Sequence, residues 1–198
     1  TIYPSIKKIT KKTKKENLII FSGKLNSAKG FDKFCIAMIK ILNKHKNWKA
    51  IAIGDEPRQT IFIKHKNLLF TGWIQHEEVL KIYNKSSITV VPSSWEEPFG
   101  RSSLEAGSRG NAVIISRKGG LTETIASPII LSKVTSECIF KEVDKLIINK
   151  KKLSELQKTN LTNPLHLIKN NVAILDKDRS AFLNPIKNFN INKNAKLK

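Results

Sequence analysis

Short apolar runs alternate with amphipathic segments over most of the chain. Six of these runs predict strands, at residues 17–22, 48–53, 67–70, 88–91, 112–115 and 129–131. The unbroken apolar runs Ile88–Val91 and Ala112–Ile115 are typical of parallel strands covered on both faces. Apolar residues at helical spacing predict helices at 31–44, 77–84 and 136–149. This alternation predicts an α/β domain with a Rossmann-like, doubly wound parallel sheet.

The pattern weakens after about residue 150, where we predict two further helices at 151–160 and 166–182. The chain then divides into a basic lead-in or linker (1–16), the α/β domain (17–150), C-terminal helices (151–187) and a polar tail or linker (188–198). Because the sequence begins with Thr1 rather than Met, we expect it to be a fragment.

Composition fits one well-formed core with a small appendage, since the 198 residues are 40% hydrophobic. No apolar stretch approaches the roughly 20 residues of a membrane helix. Cys35 and Cys138 lack CxxC spacing, so neither a zinc site nor a disulfide is expected. Both are interpreted as small buried residues on helix faces, in a protein of the reducing cytoplasm.

The formal net charge of +20 predicts attraction to polyanions, namely nucleic acid, anionic lipid or nucleotide phosphates. The competing interpretation is a solvated surface in a lysine-rich protein. Few aromatic residues interleave with the lysine runs, and no helix-turn-helix, zinc-finger or RNP pattern occurs. Specific nucleic-acid recognition is therefore not expected, but a non-catalytic basic module for nucleic acid or anionic surfaces remains the alternative function.

The most informative segment is Trp95–Gly107, which follows a predicted buried strand and leads into a helix. The first N–H groups of that helix, around Phe99 to Ser102, point at any ligand bound beside the turn. Two carboxylates, Glu97 and Glu105, frame this site. Backbone amides can donate hydrogen bonds to a diphosphate, and carboxylates can accept them from hydroxyl groups. A nucleotide sugar has both a diphosphate and hydroxyl groups.

These residues resemble the retaining glycosyltransferases of family 4, which have the GT-B fold. The family signature is two glutamates separated by seven residues, as in Glu97 and Glu105. Four more segments match in order, at residues 21–30, 52–57, 70–73 and 115–123. The resemblance covers roughly residues 17–126 and implies the donor-binding half of such an enzyme.

The resemblance implies catalytic roles for three side chains. Lys29 and Lys24 would bind the diphosphate, although the family usually has Arg where Lys24 stands. Glu97 would accept a hydrogen bond from a hydroxyl of the donor sugar. The alternatives are surface lysines and a solvated loop acid, which is also our interpretation of Glu96.

Donor binding is implied for a second set of residues. Glu105 would hold the ribose hydroxyls, and the backbone of Phe99, Gly100 and Arg101 would supply N–H groups. The other implied donor contacts are a close backbone approach at Gly23, nucleobase packing by Trp73 and Ile74, and a flexible loop at Gly119 and Gly120. Glu123 is expected to cap the helix after that loop. The histidines show no pairing in the sequence, and no metal or other cofactor is expected.

The resemblance further implies transfer of a sugar, with retention, from a nucleotide diphospho-sugar to a glycan or lipid-linked glycan. Cell-surface polysaccharide or lipopolysaccharide synthesis is the expected setting, at the inner face of the plasma membrane. Because the acceptor-binding half is not matched, we expect the isolated chain to bind nucleotide weakly and to catalyse no transfer.

Overall fold

The computed structural model describes residues 4–6, 13–58, 63–168 and 170–180. Its centre is a parallel sheet of six strands, which are β1 Leu18–Ser22, β2 Lys49–Ile53, β3 Leu68–Phe70, β4 Ile88–Val91, β5 Ala112–Ile115 and β6 Ile129–Ile130. The spatial order is β3-β2-β1-β4-β5-β6, and every neighbouring pair is parallel. This is the Rossmann order, so the predicted fold class is confirmed.

Five helices connect and cover the strands. They are α1 Phe31–Lys44, α2 His76–Lys85, α3 Arg101–Gly107, α4 Ser136–Ile148 and α5 Lys150–Thr162. Two short 3-10 helices, Ser27–Lys29 and Gly119–Glu123, lie in the loops after β1 and β5. The predicted strands and helices that fall in these ranges differ from the observed ones by a few terminal residues, where helix and strand ends are least sharply defined.

The apolar residues form one core on each face of the sheet. Alternate residues of β1 divide between them, since Ile19 and Phe21 belong to one core and Leu18 and Ile20 to the other. The first core includes buried side chains of α1, α4 and α5, and the second includes side chains of α2 and α3. Burial on both faces explains why the strands are unbroken apolar runs.

The two cysteines differ in environment. Cys35 is fully buried in α1, as predicted. Cys138 is only half-buried, so the prediction of a buried residue is wrong for this position. It lies in the first turn of α4, where its amide donates to the Thr135 Oγ1 that caps the helix. Hydrogen bonding by Thr135, and then by Ser132, lowers the pKa of its thiol.

The chain forms two compact units, residues 9–165 and residues 1–8 together with 166–198. The larger unit contains the sheet and α5, which buries Leu153, Leu156 and Asn160. In the smaller unit Ile6 forms a parallel bridge with Leu167, and residues 170–180 are helical. The end of the predicted second C-terminal helix and the predicted tail at 188–198 lie outside the described residues.

Among the residues that the structure describes, no helix has the length and apolar character needed to cross a lipid bilayer.

Candidate functional site

The site lies where the chain order of the strands reverses, at the carboxyl ends of β1 and β4. After β1, the Asn26 side chain accepts from the amide of Lys29 and so caps the first 3-10 helix. After β4, the amides of Ser94 and Trp95 both donate to the carbonyl of Ala28, at 2.8 and 3.1 Å. The two loops are therefore tied together by backbone hydrogen bonds.

Gly30 makes this contact between the loops possible. Its φ of 72° lies in the left-handed region, and a Cβ here would lie 2.0 Å from the carbonyl oxygen of Pro92. Only a glycine provides both the conformation and the space. The close approach brings Lys29 beside the loop that carries Glu97.

Lys29 and Glu97 form an ion pair, although they lie 68 residues apart in the sequence. The Lys29 Nζ is 2.7 Å from each of the two Glu97 carboxylate oxygens. Glu97 is buried, with 8% of its surface exposed. In this partly buried setting the bonds are charge-assisted and hold the carboxylate in one orientation.

The second acid, Glu105, is also buried, on the helix α3. Its Oε1 receives two contacts, from Arg101 Nη2 at 3.2 Å and from His76 Nε2 at 3.0 Å. Arg101 lies one turn earlier on the same helix, whereas His76 is the first residue of α2. Both distances are to Oε1.

Both acids line one cavity of about 280 Å³. Its other lining residues include Ser22, Gly23, Lys29, Gly100 and Arg101. The structure therefore brings together the two glutamates, one of the two predicted lysines and part of the predicted donor-binding set. The carbonyl of Gly100 accepts from the amide of Leu104, so the amides of residues 101–103 are the free donors of the first helical turn.

A second cavity, of about 400 Å³, adjoins the first, because Ser22 and Gly23 line both. It contains the predicted nucleobase contacts Trp73 and Ile74 together with Lys24 and His76. Trp73 is 66% exposed, which leaves its ring open for stacking. The two predicted lysines thus lie on different cavities, Lys24 on the larger and Lys29 on the smaller.

The expectation of a flexible loop at Gly119 and Gly120 is wrong. These residues begin a 3-10 helix that packs against the backbone of the Glu97 loop, and the amide of Gly120 donates to the carbonyl of Glu97 at 2.8 Å. Glu123 is the last residue of this helix, so it does not cap the start as expected. Among the described residues, neither glycine nor Phe99, which is buried, lines either cavity.

Glu96 is an exposed loop acid, as expected, and it also forms two contacts. It accepts from Lys118 Nζ at 2.7 Å and from the amide of Gly119 at 2.6 Å, and the bond from Lys118 contributes most to a lowered pKa of the carboxyl. Glu96 therefore connects the Glu97 loop to the second 3-10 helix.

The sequence analysis missed the contact between His76 and Glu105. The two residues lie on different helices, and only the adjacency of the elements around the sheet brings them together. A histidine at the start of the helix after the predicted nucleobase loop was the available signal, but it does not indicate a partner.

A further carboxylate supports the loop after β1. Glu56 accepts from the Asn26 side chain at 2.9 Å and from Arg58 Nε at 2.7 Å. The hydrogen bonds from Arg58 and then Asn26 lower the pKa of Glu56 to about 2. The same Asn26 caps the 3-10 helix that ends at Lys29, so Glu56 stabilises the cation side of the site indirectly.

Over the described part of the chain, no group of three or more His, Cys, Asp or Glu side chains is arranged to hold a metal ion.

Comparison with known proteins identifies the family. Residues 3–161 match the model for the glycosyl transferases group 1 family. The chain belongs to this family. An uncharacterized glycosyltransferase from Methanocaldococcus jannaschii is 34% identical over 117 residues, which cover 56% of this chain and 30% of that protein. The chain spans about a third of the length of the curated relatives it matches.

Solved structures of other proteins have the same fold. The C-terminal domain of a group 1 glycosyltransferase from Francisella tularensis superposes with a TM-score of 0.65 at 27% identity, over 73% of this chain and 82% of that one. Anabaena HepE, crystallised with UDP-glucose, superposes with a TM-score of 0.68 at 16% identity, over 83% of this chain and 49% of that one. At that identity HepE is evidence for the fold alone.

Proposed function

We propose that this domain binds a nucleotide diphospho-sugar as the donor-binding half of a retaining, family 4 type glycosyltransferase with the GT-B fold. One observation carries the proposal, namely that Lys29, Glu97 and Glu105 line a single cavity at the carboxyl ends of β1 and β4. Family membership supports it, and HepE shows that a protein of this fold can bind UDP-glucose.

In this proposal the diphosphate binds where the two cavities meet, beside Gly23. The amides of residues 101–103 donate to its oxygens, with Lys24 on one side and Lys29 on the other. Charge-assisted hydrogen bonds of this kind contribute about 1.5–3 kcal/mol each. Because Lys29 already pairs with Glu97, the Nζ is held in position before the ligand arrives.

The two glutamates recognise different hydroxyl groups. Glu97 accepts a hydrogen bond from the donor sugar, and Glu105 accepts from the ribose through Oε2. An ionised carboxylate has no donor group, so both of its oxygens can accept hydrogen bonds from hydroxyl groups. Trp73 and Ile74 then pack against the nucleobase in the larger cavity.

The chemistry proposed for this site is transfer with retention. The bond from the anomeric carbon to the leaving phosphate oxygen breaks, and the acceptor hydroxyl oxygen forms its bond on the same face. The acceptor proton passes to the leaving diphosphate. The residues around the diphosphate stabilise its developing charge and hold the reactants in register, so neither glutamate acts as a nucleophile.

The acceptor in this proposal is a glycan or lipid-linked glycan, in cell-surface polysaccharide or lipopolysaccharide synthesis at an anionic membrane surface. The net charge of +20 supports docking on such a surface. An acceptor-binding half is needed to complete the cleft, and we expect these 198 residues alone to bind donor without transferring sugar.

Calorimetry tests donor binding. The chain is titrated with the diphosphates of uridine, guanosine and adenosine and with their glucose conjugates, and one base is expected to bind preferentially. Glu105→Ala should weaken that binding about tenfold or more, because it removes a charge-assisted hydrogen bond. The control Glu77→Ala changes an exposed acid of α2 and should have no effect. Equal, weak binding of all nucleotides would refute the proposal.

A further inference from the structure

The contact between His76 and Glu105 lies at the boundary of the two cavities. His76 lines the larger cavity and Glu105 the smaller one, and their side chains meet at 3.0 Å between Nε2 and Oε1. His76 is 57% exposed on its side chain, whereas Glu105 is buried. The imidazole is therefore accessible to a ligand in the larger cavity while it contacts the acid of the smaller one.

Both side chains that contact the Glu105 carboxylate engage the same oxygen. Arg101 Nη2 and His76 Nε2 approach Oε1 from two different helices. A carboxylate held through one oxygen by two partners loses its freedom to rotate, and its other oxygen then has a fixed direction. In the proposed function, Oε2 is the atom that accepts from the ribose hydroxyls.

The two contacts are not equivalent. Arg101 reaches Glu105 along one turn of α3, and its side chain is 69% exposed. Exposed pairs of this kind on a helix surface contribute little to stability. His76 instead joins α2 to α3, so it fixes the carboxylate relative to the part of the chain that carries Trp73 and Ile74.

We infer that His76 is a positioning residue for ribose recognition: through the contact of its Nε2 with Glu105 Oε1, it aims the other carboxylate oxygen at the nucleoside diol beside the base. This inference rests on the proposed function. It extends that function by assigning selectivity for ribonucleotide over deoxyribonucleotide donors to a residue outside the two-glutamate motif.

The test compares nucleoside diphosphates with their 2′-deoxy counterparts. In the unmodified chain, removing the hydroxyl should weaken binding about tenfold or more, the effect of one hydrogen bond to a charged group. His76→Leu removes the polar contact with Glu105, and this ratio should fall to about one- to threefold. His76→Gln retains an N–H near the position of Nε2 and should restore much of the ratio.

Controls separate this inference from a general loss of structure. The absolute affinity for inorganic diphosphate should be the same in His76→Leu and the unmodified chain, since neither ribose nor base is present. In Glu105→Gln, a further His76→Leu change should have no additional effect on the ribose ratio. Coupled sites behave in this non-additive way.

The outcomes distinguish the two levels of the proposal. If the unmodified chain binds no nucleotide, the proposed function fails. If it binds nucleotides and discriminates ribose, and His76→Leu discriminates equally well, only the positioning role is overturned. The ¹⁵N shifts of the His76 ring in the unliganded chain give an independent reading, because a donor at Nε2 should respond to Glu105→Gln.

Discussion

At the scale of single residues, this site depends on glycines that allow backbone segments to touch. A Cβ at Gly119 would lie 2.1 Å from the carbonyl oxygen of Glu97, and a Cβ at Gly120 would lie 2.7 Å from that of Pro98. The pair was expected to contact the ligand through a flexible loop. It instead fixes the backbone of the loop that presents Glu97, which is an indirect contribution to the same site.

We expect Gly119→Ala to destabilise the domain more than Gly72→Ala. Both glycines have a positive φ, 54° and 67°, so each alanine incurs about 1–2 kcal/mol for the left-handed conformation. The new Cβ would clash with backbone atoms at position 119, whereas at position 72 it would have no neighbouring atom within 4 Å. The clash should cost a further 1–3 kcal/mol or so, as in overpacked cores. Urea unfolding measures the difference, and equal losses would contradict the packing argument.

At the scale of elements, the loop after β1 is stabilised by a chain of side-chain contacts. Glu56 accepts from Asn26, and Asn26 accepts from the amide of Lys29. The 3-10 helix is only three residues long, so its intrinsic stability is low and the cap determines whether it forms. The local contacts with Arg58 and Asn26 explain how the buried acid Glu56 is accommodated in this loop.

The Glu56 contacts predict a defined pH dependence. The pKa of Glu56 in the folded chain, about 2, lies below the ordinary value of 4.5. Its ionised form therefore stabilises the fold above about pH 4.5, and this contribution is lost as the pH falls toward 2.

Glu56→Gln should accordingly lower the free energy of unfolding at pH 6, and the difference from the unmodified chain should shrink steadily between pH 4.5 and 2. Urea unfolding of both proteins at a series of pH values between 6 and 2 provides the measurement. The control Glu78→Gln alters an exposed ion pair with Lys81 and should change stability little at any pH. A difference that stays constant with pH would show that the Glu56 charge contributes nothing.

At the scale of the whole molecule, the net charge of +20 separates the proposed function from its alternative. A basic module that binds DNA through six to ten phosphate contacts would lose roughly 10³–10⁵ in affinity between 50 and 200 mM salt. A nucleoside diphosphate carries few charges and is bound through specific hydrogen bonds. Its affinity should therefore fall by about tenfold or less over the same range of salt concentration.

Salt titration of both ligands checks this expectation. At 200 mM salt the chain should still bind the preferred nucleoside diphosphate more tightly than those with other bases, while its binding to duplex DNA should become negligible. Lys150→Gln, at the start of α5, is a suitable charge control because it lies away from both cavities. Strong, base-independent binding with the steep slope would favour the basic module.

The sequence by itself determined the fold class and most of the elements. Unbroken apolar strands that alternate with amphipathic helices are compatible with few arrangements. A strand that is buried on both faces of the sheet consists almost entirely of apolar residues, so its sequence shows that burial. The spacing of Glu97 and Glu105, with the ordered loops around it, also predicted a binding site, and the structure places both glutamates on one cavity. These signals are local, or they recur at a fixed spacing.

Only the tertiary structure decided which side chains meet. The pairs Lys29–Glu97, His76–Glu105 and Asn26–Glu56 each join different segments, and no periodicity encodes such a contact. The two predicted lysines were assigned together, yet they line different cavities. The physical reason is that strand order in the sheet, rather than order along the chain, determines which loops are neighbours. Hydrogen bonds between those loops then hold the side chains in place.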